Sequence, residues 1–263
     1  MERKIYIGTS GWHYKHWMGT FYLHGLKSKD FTRYYLNFFR SVEINNSFYR
    51  LPSAQTFAGW RAAVPPDFVF AVKASRFITH MKKLTDPQQS IARFFENVQG
   101  LEEKLGPILF QLPPFMNISM HKLEEFLKAL PPYYRYTFEF RNHSWYNGAV
   151  MELLRRYNIA FCIYELDRHL SPFEITADFV YVRLHGPEGK YSGSYSDEGM
   201  SWWANNCLEW QRQGKDVYIY FDNDQNGYAA HNAKLLQQLV WERQGISPPD
   251  LSQWNQSQQQ SLF

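Results

Sequence analysis

Residues 178–186 read Asp178-Phe179-Val180-Tyr181-Val182-Arg183-Leu184-His185-Gly186. Tyr181, Arg183 and His185 alternate with Val180, Val182 and Leu184, the two-residue period of a strand whose faces meet different surroundings. The pattern recurs on both sides. Thr137, Glu139, Arg141 and His143 alternate with Phe138 and Phe140, and Tyr218, Tyr220, Asp222 and Asp224 alternate with Val217, Ile219 and Phe221. Glu43 shares a face with Asn45, Lys73 with Ser75, and Gln111 opposes Phe110 and Leu112. The apolar faces call for a covering of helices, and the polar faces then converge on a common interior.

Eight strand-like segments are read near Lys4–Gly8, Ser41–Asn45, Phe68–Ala74, Pro107–Leu112, Tyr136–Phe140, Ile159–Glu165, Asp178–His185 and Val217–Asp222. Amphipathic stretches lie between most of them. Phe31, Tyr34, Tyr35 and Phe38 have helical spacing, as do Ile91, Phe94, Phe95, Val98 and Leu101, with Asp86-Pro87 as N-cap and first-turn pair. Further stripes run over Leu123–Leu130, Val150–Tyr157 and Ala229–Val240. Strands alternating with helices predict an α/β fold, a (β/α)8 TIM-like barrel, with a doubly wound open sheet as the alternative. The interval from Glu165 to Asp178 is too short for a full helix and holds Pro172, so the sixth helix is expected to be reduced or missing.

At 263 residues with 44% hydrophobic and 18% aromatic content, the chain can bury a large core, which excludes wholesale disorder. One barrel over residues 1–245 and a Gln-rich tail over 246–263 account for its length. Lys plus Arg is 28 against 25 for Asp plus Glu, a net charge of +3 that by itself does not predict nucleic-acid binding. Cys162 and Cys207 fit neither a CxxC motif nor a disulfide framework and read as buried thiols of a reducing cytoplasm. A leader peptide and a membrane-spanning stretch are not expected.

The motifs along the barrel carry a resemblance. Gly8-Thr9-Ser10-Gly11-Trp12, Glu43-Ile44-Asn45-Asn46-Ser47-Phe48-Tyr49, Ala71-Val72-Lys73-Ala74-Ser75 with Thr79-His80, and Phe110-Gln111-Leu112-Pro113-Pro114 come first. Phe138-Glu139-Phe140-Arg141, Ser144-Trp145, Tyr181 through Gly186 and Tyr220-Phe221-Asp222-Asn223-Asp224 follow in order. Over roughly residues 4–240 the chain resembles the YecE-like proteins, a TIM-barrel family of unknown function. The resemblance implies the fold and no reaction. Asp222 stands where that family pattern more often has Asn.

Function is read from the strand C-termini, where barrel active sites sit. Glu43, Glu139 and His185 are the catalytic candidates, since a buried carboxylate against an apolar wall and one beside Lys73 or Arg141 would divide acid and base roles. The structural alternative is that Glu43 and Glu139 make ion pairs with Lys73 and Arg141 that tie the barrel together. Lys73, Arg141, Arg183, His185 and Lys190 suit an anion pocket, with the loop from Gly186 to Gly193 as lid or phosphate cradle. Trp12, Asn45, Tyr49, Gln111, Tyr191 and Asn223 complete the substrate-binding set. His13, Tyr14, Trp17, Trp145 and Tyr195 join Trp12, Tyr49 and Tyr191 as aromatics that wall the site or roof the barrel. Glu139, Asp167, His185 and Asp222 could ligate a divalent ion, but no HExxH or Cys/His cluster favours it, so no metal residues and no cofactor are assigned.

These residues describe an enzyme using acid–base chemistry on a small anionic or phosphorylated substrate. Two alternatives stand beside it: a non-catalytic anion- or nucleotide-binding module, and a sliding-clamp-associated nucleic-acid processing protein. The last rests on Gln259-Gln260-Ser261-Leu262-Phe263, which resembles the terminal motif that docks bacterial proteins on the DNA sliding clamp, with Gln259 at the rim and Leu262 and Phe263 in an apolar pocket.

Overall fold

Strands β1 (Ile5–Thr9), β2 (Ser41–Ile44), β3 (Val69–Lys73), β4 (Leu105–Leu112), β5 (Tyr136–Phe140) and β6 (Ala160–Leu166) begin the sheet. A short β7 (His169–Leu170) precedes β8 (Phe179–Leu184) and β9 (Asp216–Phe221). The computed structural model describes residues 3–247. The eight main strands run parallel in the order β1-β9-β8-β6-β5-β4-β3-β2, and β7 folds back antiparallel on β6. Around them lie α1 (Phe31–Tyr35), α2 (Ala54–Ala62), α3 (Pro87–Val98), α4 (Met120–Ala129), α5 (Gly148–Arg156), α6 (Asp197–Arg212) and α7 (Tyr228–Gln244). This is the expected TIM-like barrel.

The last seam, between β1 and β2, closes through side chains and a single bridge. Gly11 N donates to Glu43 O at 2.8 Å, next to a parallel bridge between Ser10 and Glu43. The Tyr35 hydroxyl accepts from Thr9 N and donates to Ser41 O, both at 3.0 Å, and so spans the gap. Gly8 permits this approach, because a Cβ there would lie 2.3 Å from Ser41 O.

No helix follows β6, as the short interval predicted. The crossover runs extended beside the strand instead. Ser171 Oγ and Thr176 Oγ1 accept from the backbone N–H groups of Tyr164 and Phe161, at 2.9 and 2.7 Å, and so satisfy two buried donors of β6. Phe173 then packs on Trp203 and Trp210 of α6.

Some local expectations differ in detail. Helix α1 stops at Tyr35, short of Phe38; Asp86 and Pro87 take the N-cap and first-turn positions of α3 as expected, but the Asp86 carboxylate reaches Lys82 at 3.2 Å instead of making a cap hydrogen bond. Helices α2 and α6 were not anticipated. Helix α2 buries Phe57 alone, too little to make a stripe. Helix α6 does carry one, Met200, Trp203, Ala204, Cys207 and Trp210, begun by a Ser196 cap on Gly199 N.

The alternating faces sort as expected. Val180, Val182, Leu184, Phe138, Phe140, Ile219 and Phe221 join the helix-facing core. The inside of the barrel is less polar than the alternation suggests. Ala71, Leu109, Cys162, Phe179, Tyr181, Tyr218 and Tyr220 form a second buried cluster, and the fully buried charged side chains of the inside gather towards the strand C-termini. Both cysteines are buried and unpaired. Among the described residues no helix is long and apolar enough to cross a membrane. Gln259, Leu262 and Phe263 lie outside the described residues.

Candidate active site at the strand C-termini

Arg183, on β8, is wholly buried, and four other stretches of chain converge on its guanidinium. Its Nη2 donates to Glu43 Oε1 of β2 at 2.8 Å and to Asp222 Oδ2 beyond β9 at 3.0 Å. Its Nη1 donates to Glu139 Oε2 of β5 at 2.8 Å, and Nη2 lies 3.4 Å from Ser10 Oγ beyond β1. A buried guanidinium needs this much compensation, because leaving its charge unpaired there would cost several kcal/mol, on the order of 3–5. Every second residue of each parallel strand points inward, which turns Glu43, Glu139 and Arg183 towards one interior where the long Arg183 side chain can reach both carboxylates.

Glu43 is fully engaged. Ser10 Oγ and Tyr181 Oη donate to its two oxygens at 2.5 and 2.6 Å, alongside Arg183. Glu139 is held by Arg183 and by a short ion pair with Arg141 Nε. Burial pushes its carboxyl up, but Arg141 and Arg183 outweigh burial and hold it well below the usual carboxylate range. The expected pair of Glu139 with Arg141 is therefore present, whereas Glu43 binds Arg183 and not Lys73.

His185 extends this network. Its Nε2 lies 3.0 Å from Arg141 Nη2 and 3.1 Å from Arg183 Nη1. Guanidinium nitrogens only donate, so Nε2 is the acceptor and the proton sits on Nδ1. Nδ1 lies 3.0 Å from Asp222 Oδ2 but out of line for a hydrogen bond. Burial, then Arg183 and Arg141, drive the imidazole pKa well below its ordinary value, so His185 is neutral. Burial conversely raises the Asp222 carboxyl.

Lys73 ends β3 and faces the same space, 7% exposed. Among the described residues its Nζ makes no hydrogen bond and no ion pair; it sits over the Phe48 ring, 4.3 Å from the centroid. Burial, then the charge of Arg183, pushes its pKa down to about 8 against partial opposition from Glu139, Asp222 and Glu43. His80 packs edge-on against the other side of Phe48 at 4.9 Å, and burial followed by Lys73 lowers its pKa to about 4. Neither Phe48 nor His80 was singled out for the site from sequence. Both lie in quoted motifs, yet nothing in their spacing reveals that they flank Lys73.

The other expected residues divide. Gln111 aligns with Glu139 in the β4–β5 register and is half-buried. Arg141 stacks on Tyr164, 4.5 Å from its centroid, and Tyr191 meets His185 edge-on at 5.3 Å. Trp12 and Asn45 share a cavity of about 340 Å³ beyond β1 and β2 with Gly11, His13, Tyr14 and Trp60. Asn45 Oδ1 is buried there and, among the described residues, has no hydrogen-bond partner. Tyr49 is 72% exposed and lines a separate hollow with Arg50 and Arg93. Asn223 is wholly buried and anchors the loop after β8, donating to Gly193 O at 2.8 Å and to Asn232 Oδ1 at 2.9 Å. Trp17, Trp145 and Tyr195 are buried parts of the core. Lys190 leans out towards Asp167 at 3.9 Å, and both are exposed, so neither joins the cluster. Among the described residues no three His, Cys, Asp or Glu groups converge to hold a metal ion, because the guanidinium of Arg183 stands between the carboxylates.

A family model described as a protein of unknown function, DUF72, matches residues 6–257. The UPF0759 protein YunF of Bacillus subtilis is 27% identical over 289 aligned residues, covering 94% of this chain and 99% of that protein. The crystal structure of a DUF72 family protein from Thermotoga maritima superposes with a TM-score of 0.81 at 31% identity, over 90% of this chain and 99% of that one. Another, from Enterococcus faecalis, shares the fold with a TM-score of 0.76 at 21% identity, over 94% and 98% of the two chains. The YecE-like proteins that the motifs resemble are this same family.

Proposed function

The chain belongs to the DUF72 family, and from that premise we propose that it is an enzyme performing proton transfer on a small anionic substrate, phosphorylated ones included, at the C-terminal mouth of the barrel. The observation that carries this reading is Lys73: a buried amine at a strand end, with no partner among the described residues, under the charge of Arg183. With its pKa pushed down to about 8, it exchanges a proton readily near neutral pH, as a general base or acid must. Arg141 and Gln111 offer donors to an anionic group beside it, and Arg141 is already oriented by Glu139 and His185.

In this reading Glu43 and Glu139 are positioning residues, since every oxygen they have is engaged by Arg183, Arg141, Ser10 or Tyr181. His185 is likewise a positioning residue, holding Arg141 through Nε2. The trapped thiols Cys162 and Cys207 favour a reducing, cytoplasmic setting.

Screening the wild-type protein, Lys73→Met and Glu139→Gln against small organic anions and phosphate esters tests the reading. Turnover by the wild type, lost in Lys73→Met and reduced in Glu139→Gln, is the expected result. Equal turnover by wild type and Lys73→Met would overturn it. A ligand that binds and is returned unchanged would favour the binding-module alternative.

A further inference from the structure

We propose that Lys73 is a nucleophile that condenses with the carbonyl group of a small oxo acid, forming an imine at the mouth of the barrel. The inference rests on the reading that this mouth binds a small anion, and it names the substrate class.

Lys104 has the same exposure as Lys73, 7%. Its Nζ donates to Arg61 O at 2.8 Å and Val64 O at 2.7 Å, where the chain leaves α2, so its burial is compensated. Lys73 has no such acceptor among the described residues, only the face of Phe48. An amine kept from water, without a hydrogen-bond acceptor and next to other cations, keeps its lone pair available and is thereby activated as a nucleophile. Arg183 is such a cation, fixed in place by three carboxylates.

The surroundings also suit an oxo acid. Arg141 donates through Nε to Glu139 and through Nη2 to His185, which sets its plane and leaves Nη1 uncommitted among the described residues for a substrate carboxylate. Gln111 on β4 adds an amide on the same inner face.

The step balances without an oxidant or reductant. The Nζ lone pair adds to the carbonyl carbon while the carbonyl π pair moves to oxygen, which takes up a proton as Nζ loses one. The resulting carbinolamine oxygen accepts a second proton from solvent and departs as water, and the nitrogen lone pair forms the protonated imine. The iminium is an electron sink that acidifies the adjacent carbon, whose proton leaves to solvent while Lys73 stays bound as the imine; in this deeper reading Lys73 acts as the nucleophile and not as the base.

The test treats the full-length protein with glyoxylate or pyruvate in the presence of borohydride, followed by intact mass and peptide mapping. The expected result is one reduced adduct at Lys73, absent in Lys73→Met and Lys73→Arg, with other lysines unlabelled at the same dose. Thermal melting of both variants checks that they fold, and Lys73→Arg retains the charge. Calorimetry with oxalate and inorganic phosphate runs in parallel on wild type and Arg141→Gln. If the anions bind, at least tenfold more weakly to Arg141→Gln, but Lys73 is never labelled, the imine is overturned and the anion reading stands. If neither anion binds and Lys73 is unlabelled, both fall. Labelling spread over surface lysines without preference for Lys73 also overturns the imine.

Discussion

Arg183 and Glu139 form a buried ion pair across the barrel mouth, Nη1 to Oε2 at 2.8 Å, with both side chains closed to solvent. Glu43 and Asp222 contact the same guanidinium, so one cation compensates three carboxylates at once. Such a group is costly to truncate, because its partners stay behind.

Arg183→Met is therefore expected to destabilise the fold by about 3–5 kcal/mol, leaving carboxylates buried and unpaired. Urea denaturation followed by tryptophan fluorescence reads this directly. A loss below about 1 kcal/mol would show that the network does not hold the mouth together.

Replacing Lys73 works in the opposite direction. Its pKa, pushed from 10.5 down to about 8 by burial and Arg183, means the unfolded chain holds the proton more tightly than the folded one. Below pH 8 both states are charged and the penalty on folding is constant; it is relieved as pH rises from 8 to 10.5. The groups that set it are Arg183, Glu139, Asp222 and Glu43. Lys73→Met should accordingly be more stable than wild type at pH 7, by about 1–3 kcal/mol. That advantage should shrink towards pH 10.5 in paired denaturation curves. A variant less stable than wild type at pH 7 would contradict the penalty.

His185 should be a silent histidine. Two guanidinium groups donate to Nε2, and burial adds to their effect, so the ring is expected to stay neutral with its proton on Nδ1. Nitrogen-15 NMR of labelled imidazoles should show no titration of His185 between about pH 5 and 8, the range in which an ordinary histidine changes charge. A midpoint near the ordinary value would mean that the arginines do not hold it.

Asn223 is expected to act on the loop and not on a ligand. Its amide ties Gly193 and Asn232 together from a wholly buried position. Asn223→Ala should cost about 1–3 kcal/mol through the groups left unsatisfied. Hydrogen exchange should accelerate over residues 186–193. Unchanged exchange there would remove its anchoring role.

The period of two in β5, β8 and β9, the apolar helices between strands and the short interval after Glu165 determine the barrel and its missing helix from sequence alone. Each is a local signal, carried by neighbours within a few residues. The same alternation places Glu43, Lys73, Glu139, Arg183 and His185 on inward faces. It is silent on who pairs with whom. Glu43 meets Arg183, 140 residues away in the chain, and passes over Lys73, because parallel register fixes the height of each side chain inside the barrel. Tertiary structure alone decides that one guanidinium contacts all three carboxylates, that Asn223 binds a loop, and that among the described residues Lys73 is left with an aromatic face. The physical reason is that hydrogen-bond partners and desolvation are set by distances between strands, whereas sequence periodicity reports only which way each strand faces.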